Sequence, residues 1–264
     1  MGISRLLEKT PLVGVFFMSA IWLSSAQAFC PAPDGLPVVH VQRVVDGDTL
    51  RLDDGRSVRM IGLNAPETGK RGQPAEPFAE AGKRRLQALV KDSAGQVRLQ
   101  VGQQPKDRYG RTLANVYGRD GINLEAQLLS EGLGYLVAVA PNTALVACQQ
   151  SAERQARQSR TGLWRNSPVQ SAAQIDKGGF AVVSGQVKSV QRNRGGLWLE
   201  LDGSVVLRIA PDLLPAFDVA TIERLKGRHV EARGWVVDRS RRGGLQSGQA
   251  RWLMPLTHPA MLNL

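Results

Sequence analysis

Two carboxylates, Asp46 and Asp48, flank one glycine in the stretch Val44-Val45-Asp46-Gly47-Asp48-Thr49-Leu50, between two apolar runs. Asp-Gly between strand-like segments is a strong hairpin signal, because both turn residues tolerate positive φ. A turn needs only one aspartate. A second one, followed by Thr49, also suits a cation site at a strand end, since hard cations take carboxylate oxygens as ligands. Three more groupings carry potential chemistry. Arg59 lies inside the apolar run Val58-Arg59-Met60-Ile61, Asn64 and Glu67 surround Pro66, and Asp107-Arg108-Tyr109-Gly110-Arg111 precedes another apolar run. Asp48, the Asn64 amide and the Ala65 carbonyl could together offer hard oxygen ligands. Arg59 and Arg111 could fork onto the oxygens of a phosphate diester. Glu67 could serve as base for a water nucleophile. Taken singly, each has an ordinary surface alternative: Arg59 pointing out of a barrel wall, Glu67 as an exposed loop acid, Arg111 as a turn arginine.

The elements that must position these groups are short. Residues 38–45 read as a strand, 50–52 as its hairpin partner and 57–63 as a third strand after the Asp53-Asp54-Gly55 turn. Such strands joined by Asp/Gly turns indicate a curled antiparallel sheet closing into a barrel. A helix is expected over 76–90, with Pro77 in its first turn, then strands at 96–101 and 111–117 joined by a polar connection at 103–110. A short helix over 123–131 ends at Gly132, and a third helix runs over 143–159. Residues 166–179, rich in Ser, Ala, Gln and Gly, read as a linker. Beyond it, strands at 180–190, 197–201, 205–209, 229–237 and near 250–256, with a helical piece at 221–225, fit a second small barrel.

The chain has 264 residues, 42% of them hydrophobic, enough for a packed core in one large domain or two small ones. A formal net charge of +11 favours a polyanionic partner, nucleic acid or an anionic membrane surface. Aromatics are only 5%, so no extensive base-stacking platform is evident. Arg5 and Lys9, the apolar stretch 11–24 and the small-residue site Ala26-Gln27-Ala28 read as an export signal, residues 1–28, with cleavage after Ala28. The alternative, an uncleaved anchor, meets a stretch short of the roughly 20 apolar residues a span needs. After cleavage the expected location is periplasmic or secreted, without stable membrane association. Cys30 and Cys148 then form either one bridge or two free thiols. Three scattered histidines and no Cys/His cluster give no zinc-ligand spacing.

Taken together the motifs are specific. The text V-V-D-G-D-T-L-R-L, V-R-M-I-G-L-N-A-P-E-T, D-R-Y-G-R-T-L-A, N-L-E-A-Q-L-L-S-E-G-L-G and a closing G-L-W resembles the staphylococcal nuclease (thermonuclease) family over about residues 37–165. The resemblance implies a five-stranded OB barrel with three helices in a domain spanning 29–165, and calcium-dependent hydrolysis of DNA and RNA phosphodiesters with low sequence specificity. It implies Asp48 as principal Ca2+ ligand, Asp46 and Thr49 as supports of that loop, Asn64 where a second ligand aspartate is usual, and Ala65 as a backbone-carbonyl ligand. Arg59 and Arg111 match phosphate-binding arginines, and Glu67 the general base. The implied mechanism is metal-assisted in-line attack at phosphorus, with the arginines stabilising developing charge; cleavage that leaves 3′-phosphates is a family expectation.

Two departures stand out. Asn64 removes a negative charge from the metal site, which lowers affinity as the ligand charge count drops. The segment 136–142, where the family prototype offers tyrosines to the nucleotide, has none, with Tyr135 nearest. Both departures favour the alternative reading, a catalytically weak or inactive module that binds nucleic acid or another anionic partner, whereas Arg59, Arg111 and Glu67 favour the enzyme. Residues 180–264 resemble an OB-type domain appended to some exported proteins of the family, through G-Q-V-K-S-V, L-K-G-R-H-V-E-A-R-G-W-V-V and a closing H-P. Trp198, Trp235, Arg233 and Arg239 could there bind oligonucleotide; the alternative puts the tryptophans in the core and the arginines in solvent. A monomer is the default.

Overall fold

The computed structural model describes residues 30–69, 72, 74–242, 245 and 248–264. The expected export signal and Phe29 lie outside them, as do Gly243 and Gly244. Strands β1 (Val38–Asp46), β2 (Thr49–Leu52) and β3 (Ser57–Met60) form the meander expected from the Asp/Gly turns. After β3 the chain runs through β4 (Leu63–Asn64), α1 (Ala79–Asp92), β5 (Gln96–Lys106), β6 (Thr112–Tyr117), α2 (Leu124–Ser130), β7 (Tyr135–Leu136) and α3 (Val146–Gln158). Strands β1-β2-β3-β6-β5 close into a barrel, with β3 and β6 parallel. Register shifts in β1 at Val41/Arg43 and Val44/Asp46 supply the bends that let so short a sheet curl shut. Leu50, Leu52, Val58, Met60, Val97 and Leu99 alternate inward as its core. The five-stranded barrel with three helices is therefore borne out.

Several boundaries moved for identifiable reasons. The third strand expected over 57–63 is broken at Gly62, whose φ of +85° turns Leu63 and Asn64 out of the barrel to pair with Tyr135 and Leu136 of β7. A side chain at Gly62 would collide with Gln149 of α3. The first helix starts at Ala79 rather than 76, because Phe78 sits at φ +67°; Pro77 thus precedes the helix. The polar connection at 103–110 is partly strand, since β5 continues to Lys106 and pairs again with Thr112 past a register shift. The helix expected from 143 starts at Val146.

The second half contains β8 (Val169–Ser171), β9 (Gly179–Asn193), β10 (Gly196–Leu201), β11 (Val205–Ile209), α4 (Val219–Glu223), β12 (His229–Asp238), β13 (Trp252–Leu256) and β14 (Leu262–Asn263). Strands β9-β10-β11-β13-β12 pair in sequence, and β12 pairs back onto β9. This circuit repeats the strand order of the first barrel, including a parallel pair between its third and fifth strands. The stretch expected as a linker, 166–179, contains β8, which runs parallel to β9. Ala172 and Ile175 are buried in the second core, and that burial pins a segment whose composition suggested a free tether.

The two halves share packing. Val137, Ala138 and Val146 belong to the second barrel's core cluster, Thr257 Oγ1 donates to the Ala138 carbonyl, and the Ala138 N–H donates to Met261 Sδ at 3.2 Å. Glu153 of α3 and Arg233 of β12, 2% and 3% exposed, form a buried ion pair at 2.6 Å, and Glu153 also accepts from the Leu136 N–H at 2.8 Å. Such a pair is strongly destabilising to break because the remaining charge is left uncompensated. Cys30 and Cys148 form a disulfide, tying the start of the described chain to α3 and settling the two sequence-level alternatives in favour of the bridge. Among the described residues no helix is long and apolar enough to cross a membrane.

Candidate functional site

The Asp46–Thr49 hairpin is both things its sequence suggested, a tight turn and the setting of a buried carboxylate. Asp46 pairs with Thr49 across it. Gly47 is required at the tip because a Cβ there would lie 2.6 Å from the Ala65 Cβ. That close approach buries Asp48, which is 7% exposed. Asp48 Oδ2 accepts from the Ala65 N–H at 2.9 Å and lies 3.0 Å from an Arg59 guanidinium nitrogen, while Oδ1 accepts from Thr49 Oγ1 at 3.0 Å. Asp46 Oδ1 in turn accepts from the Asp48 N–H at 3.2 Å. Burial pushes the Asp48 carboxyl up to about 6, with the Asp46 charge adding to it; Arg59 and the hydrogen bonds from Ala65 and Thr49 pull the other way.

Arg59 stands on β3 between the inward Val58 and Met60, so strand alternation places it on the outer face. Its guanidinium donates to the carbonyls of Met60 and Leu63, the latter at 2.7 Å, and to Asn64 Oδ1 at 3.3 Å. The Asp48 carboxylate and the Asn64 amide oxygen therefore converge on one nitrogen of Arg59. Asn64 lies opposite Tyr135 in the β4–β7 pair. Glu67, three residues further, is exposed; its N–H donates to Glu76 Oε2 at 2.9 Å, and the Glu76 N–H returns to the Glu67 carbonyl at 3.0 Å.

Arg111 is aimed by its own loop. Asp107 Oδ1 accepts from the Tyr109 and Arg111 N–H groups at 2.9 and 3.0 Å, an Asx turn, and Gly110 takes φ +79° to close it. Asp107 Oδ2 then accepts from Arg111 Nε at 2.7 Å. Against the effect of burial, these bonds hold the Asp107 carboxyl below the usual range. Arg59 and Arg111 line the same cleft, of ≈ 640 Å³, together with Asp107, Arg108, Tyr109, Val139, Ala140 and Asn142. Glu67 is not among its lining residues, nor are Asp48, Asn64 and Ala65; Asp48 and Asn64 reach it through their contacts with Arg59, and Ala65 through Asp48.

A family model described as staphylococcal nuclease homologue matches residues 57–166. The thermonuclease of Staphylococcus hyicus is 38% identical over 131 residues, 48% of this chain and 75% of that protein. The thermonuclease of Staphylococcus intermedius is 35% identical over 127 residues, 47% and 74% of the two chains. The chain belongs to the staphylococcal nuclease family. Endonuclease YncB of Bacillus subtilis (strain 168) is 32% identical over 133 residues, 49% of this chain and 62% of that relative. The residues matched by the family model take in Arg59, Asn64, Ala65, Glu67 and Arg111 but begin after the Asp46–Thr49 hairpin.

Within this nuclease-family barrel, the structure gathers Asp46, Asp48, Thr49, Arg59, Asn64 and Ala65 into one contact set, brings Arg111 to the same cleft as Arg59, and leaves Glu67 at the start of an exposed loop. The donors suit a hard cation: a carboxylate and an amide oxygen converge on the positive charge of Arg59. They are few, for among the described residues no group of three or more His, Cys, Asp and Glu side chains is placed to hold a metal ion. Low ligand charge implies weak affinity rather than the wrong chemistry. Sequence reasoning gave two groups no role. Asp107 orients Arg111, and its signal was present in the Asp-x-x-x-Arg spacing. Glu125 is fully buried, pushed up to about 8 by that burial, and accepts from the Val116 N–H and Asn123 Nδ2; nothing in its helical spacing distinguishes it from a surface acid.

Proposed function

We propose that this protein is an exported, calcium-dependent nuclease that hydrolyses DNA and RNA phosphodiester bonds with little sequence preference. A nuclease is what family membership implies, and the observation that carries the finer reading is the shared cleft: Arg59 from β3 and Arg111 from the loop before β6 line it, and a buried carboxylate is bonded to Arg59. Arg59 and Arg111 bind the phosphodiester and stabilise the charge that develops on its oxygens. Glu67 takes a proton from the attacking water. Asp48, Asn64 and the Ala65 carbonyl hold Ca2+, with Asp46 and Thr49 supporting Asp48. The ion, when bound, supplies Lewis acidity and a template for the phosphate oxygens. The net charge of +11 draws in polyanions, and binding weakens as salt rises. The Cys30–Cys148 bridge fits an oxidising compartment, periplasmic or extracellular.

The purified chain is expected to digest plasmid, single-stranded DNA and RNA in millimolar calcium, and Glu67→Gln to lose about 10²–10⁴-fold in rate. Failure of the wild type to cut any of the three would hand the site to a module that binds nucleic acid without hydrolysing it. Restoring charge with Asn64→Asp is expected to shift half-maximal activity to lower calcium. A titration curve that does not move would remove Asn64 from the ligand set.

A further inference from the structure

The cleft that holds Arg59 and Arg111 is not built by the nuclease barrel alone. Its opposite wall is Trp235, Val236 and Val237 of β12, from the second barrel. Among the described residues seven large apolar side chains are notably exposed, and three of them, Tyr109, Val139 and Trp235, line this one cleft. Scattered exposed apolar groups need no explanation, but their convergence beside charged ligand-binding groups does. Tyr109 is 68% exposed, with the Arg108 and Arg111 guanidinium carbons 4.8 and 5.6 Å from its ring centre. Arg108 also donates to its hydroxyl at 2.7 Å.

Trp235 is 42% exposed although its strand neighbours Gly234 and Val236 are buried. It is held by its surroundings. Phe180 lies opposite it on β9, ring centres 5.4 Å apart and nearly edge to face. Phe180 packs on Tyr135 at 5.1 Å, and Tyr135 on Trp164 at 5.7 Å. Two residues before Trp235 on the same strand, Arg233 is locked to Glu153 of α3, which fixes β12 relative to the nuclease barrel. The sequence-level alternatives for the second barrel thus resolve residue by residue. Arg233 is a buried strut, neither solvated nor a ligand group. Arg239 is held by the Ala250 carbonyl and Gln249, with Trp198 beside it. Trp252 is core, and Trp235 alone of the second barrel's tryptophans enters the cleft.

We propose that Trp235 and Tyr109 form a nucleobase subsite, so that the second barrel stacks the bases of a single strand whose phosphates lie on Arg59 and Arg111. The choice of ligand rests on the nuclease reading above; the subsite itself rests on the juxtaposition of exposed rings and guanidiniums in one cleft. Rings fixed in place stack on any base, which gives affinity without sequence preference, and a tyrosine flanked by guanidiniums gains further attraction for a π-face. Bases in a duplex are already stacked on each other, so the subsite selects single-stranded substrate.

The test is fluorescence anisotropy of the full chain with a fluorescein-labelled oligothymidylate of about eight nucleotides, within the usual footprint of one OB barrel. It is run in chelator, with strand integrity checked on a gel, against an abasic strand of equal length. Wild type is expected to bind the base-bearing strand about tenfold more tightly than the abasic one. Trp235→Ala is expected to lower that ratio severalfold while leaving abasic binding unchanged, the remainder being held by Tyr109, and Trp235→Phe to retain most of it. A wild-type ratio near one would overturn the subsite, as would an Ala variant whose ratio is intact or whose affinity falls equally for both strands. Base-dependent binding by a chain that does not cut in calcium would defeat the nuclease reading and leave the subsite standing.

Discussion

Arg111→Ala is expected to lower the rate of phosphodiester cleavage by about 10²–10³-fold, the usual cost of removing one preorganised group that stabilises developing charge, while leaving the fold intact. The structure makes this arginine the cleaner of the two to test. Its side chain is about a third exposed, and among the described residues its hydrogen bonds run from Nε and the backbone N–H to Asp107. The terminal amino groups of the guanidinium remain for a phosphate. Asp107 keeps its bonds to the backbone N–H groups of Tyr109 and residue 111 in the variant, so the loop keeps its shape. Arg59→Ala removes more than a ligand group, because it takes one donor away from each of Asp48, Asn64 and two backbone carbonyls, and its cost is divided between stability and chemistry. Arg111→Lys distinguishes charge from geometry: a lysine supplies one point charge where the guanidinium supplies a planar fork, and a substantial loss is expected. Full activity in Arg111→Ala would remove this residue from the site.

Asp48→Asn is expected to abolish cleavage and, in metal-free buffer above pH 7, to raise thermal stability. Two opposite signs from one substitution follow from burial. The folded state holds a proton on Asp48 up to about pH 6, whereas an unfolded aspartate loses it near 4. The favourable protonated form is present below about pH 4 and is lost as pH rises through 6, after which the folded protein carries a buried carboxylate beside Asp46. That gap is worth up to roughly 3 kcal/mol, less what the amide forfeits at Ala65 and Thr49. In a chain of this size each kcal/mol moves the midpoint by about 2–4 °C. Thermal melts at pH 4 and pH 8 measure it: the variant's advantage should be present at pH 8 and vanish at pH 4. A substitution that stabilises the fold while abolishing cleavage is the signature of a site held in place for function. A variant that melts below wild type at pH 8 would mean that the Arg59 ion pair outweighs the burial cost.

Much of the nuclease barrel was legible in the sequence because its signals are local. Asp-Gly turns, alternating apolar positions and the Gly132 stop after α2 each declare themselves within a few residues. What stayed hidden depends on distant partners. Gly62 breaks β3 because Gln149 of α3 occupies the space beside it, a contact 87 positions away in the chain. Residues 166–179 look like a tether until Ala172 and Ile175 are seen filling the second core. The site divides in the same way. Asp48, Arg59, Asn64 and Arg111 could be named from motif text, yet motif text carries no sign that Asp48 is bonded to Arg59. Nor does it show that the wall facing Arg111 comes from a strand more than a hundred residues later. Trp235 could be named only as one of two tryptophans in a barrel; burial and the Glu153–Arg233 strut decide that it faces the cleft.

The central claim is that this cleft hydrolyses phosphodiesters with the help of a bound hard cation. It is tested most directly by the rate at which the purified chain cleaves a labelled single-stranded oligonucleotide in millimolar calcium and in excess chelator. The account predicts steady cleavage in calcium and none above background in chelator, with activity restored when calcium is returned. Cleavage that continues undiminished in chelator would contradict it.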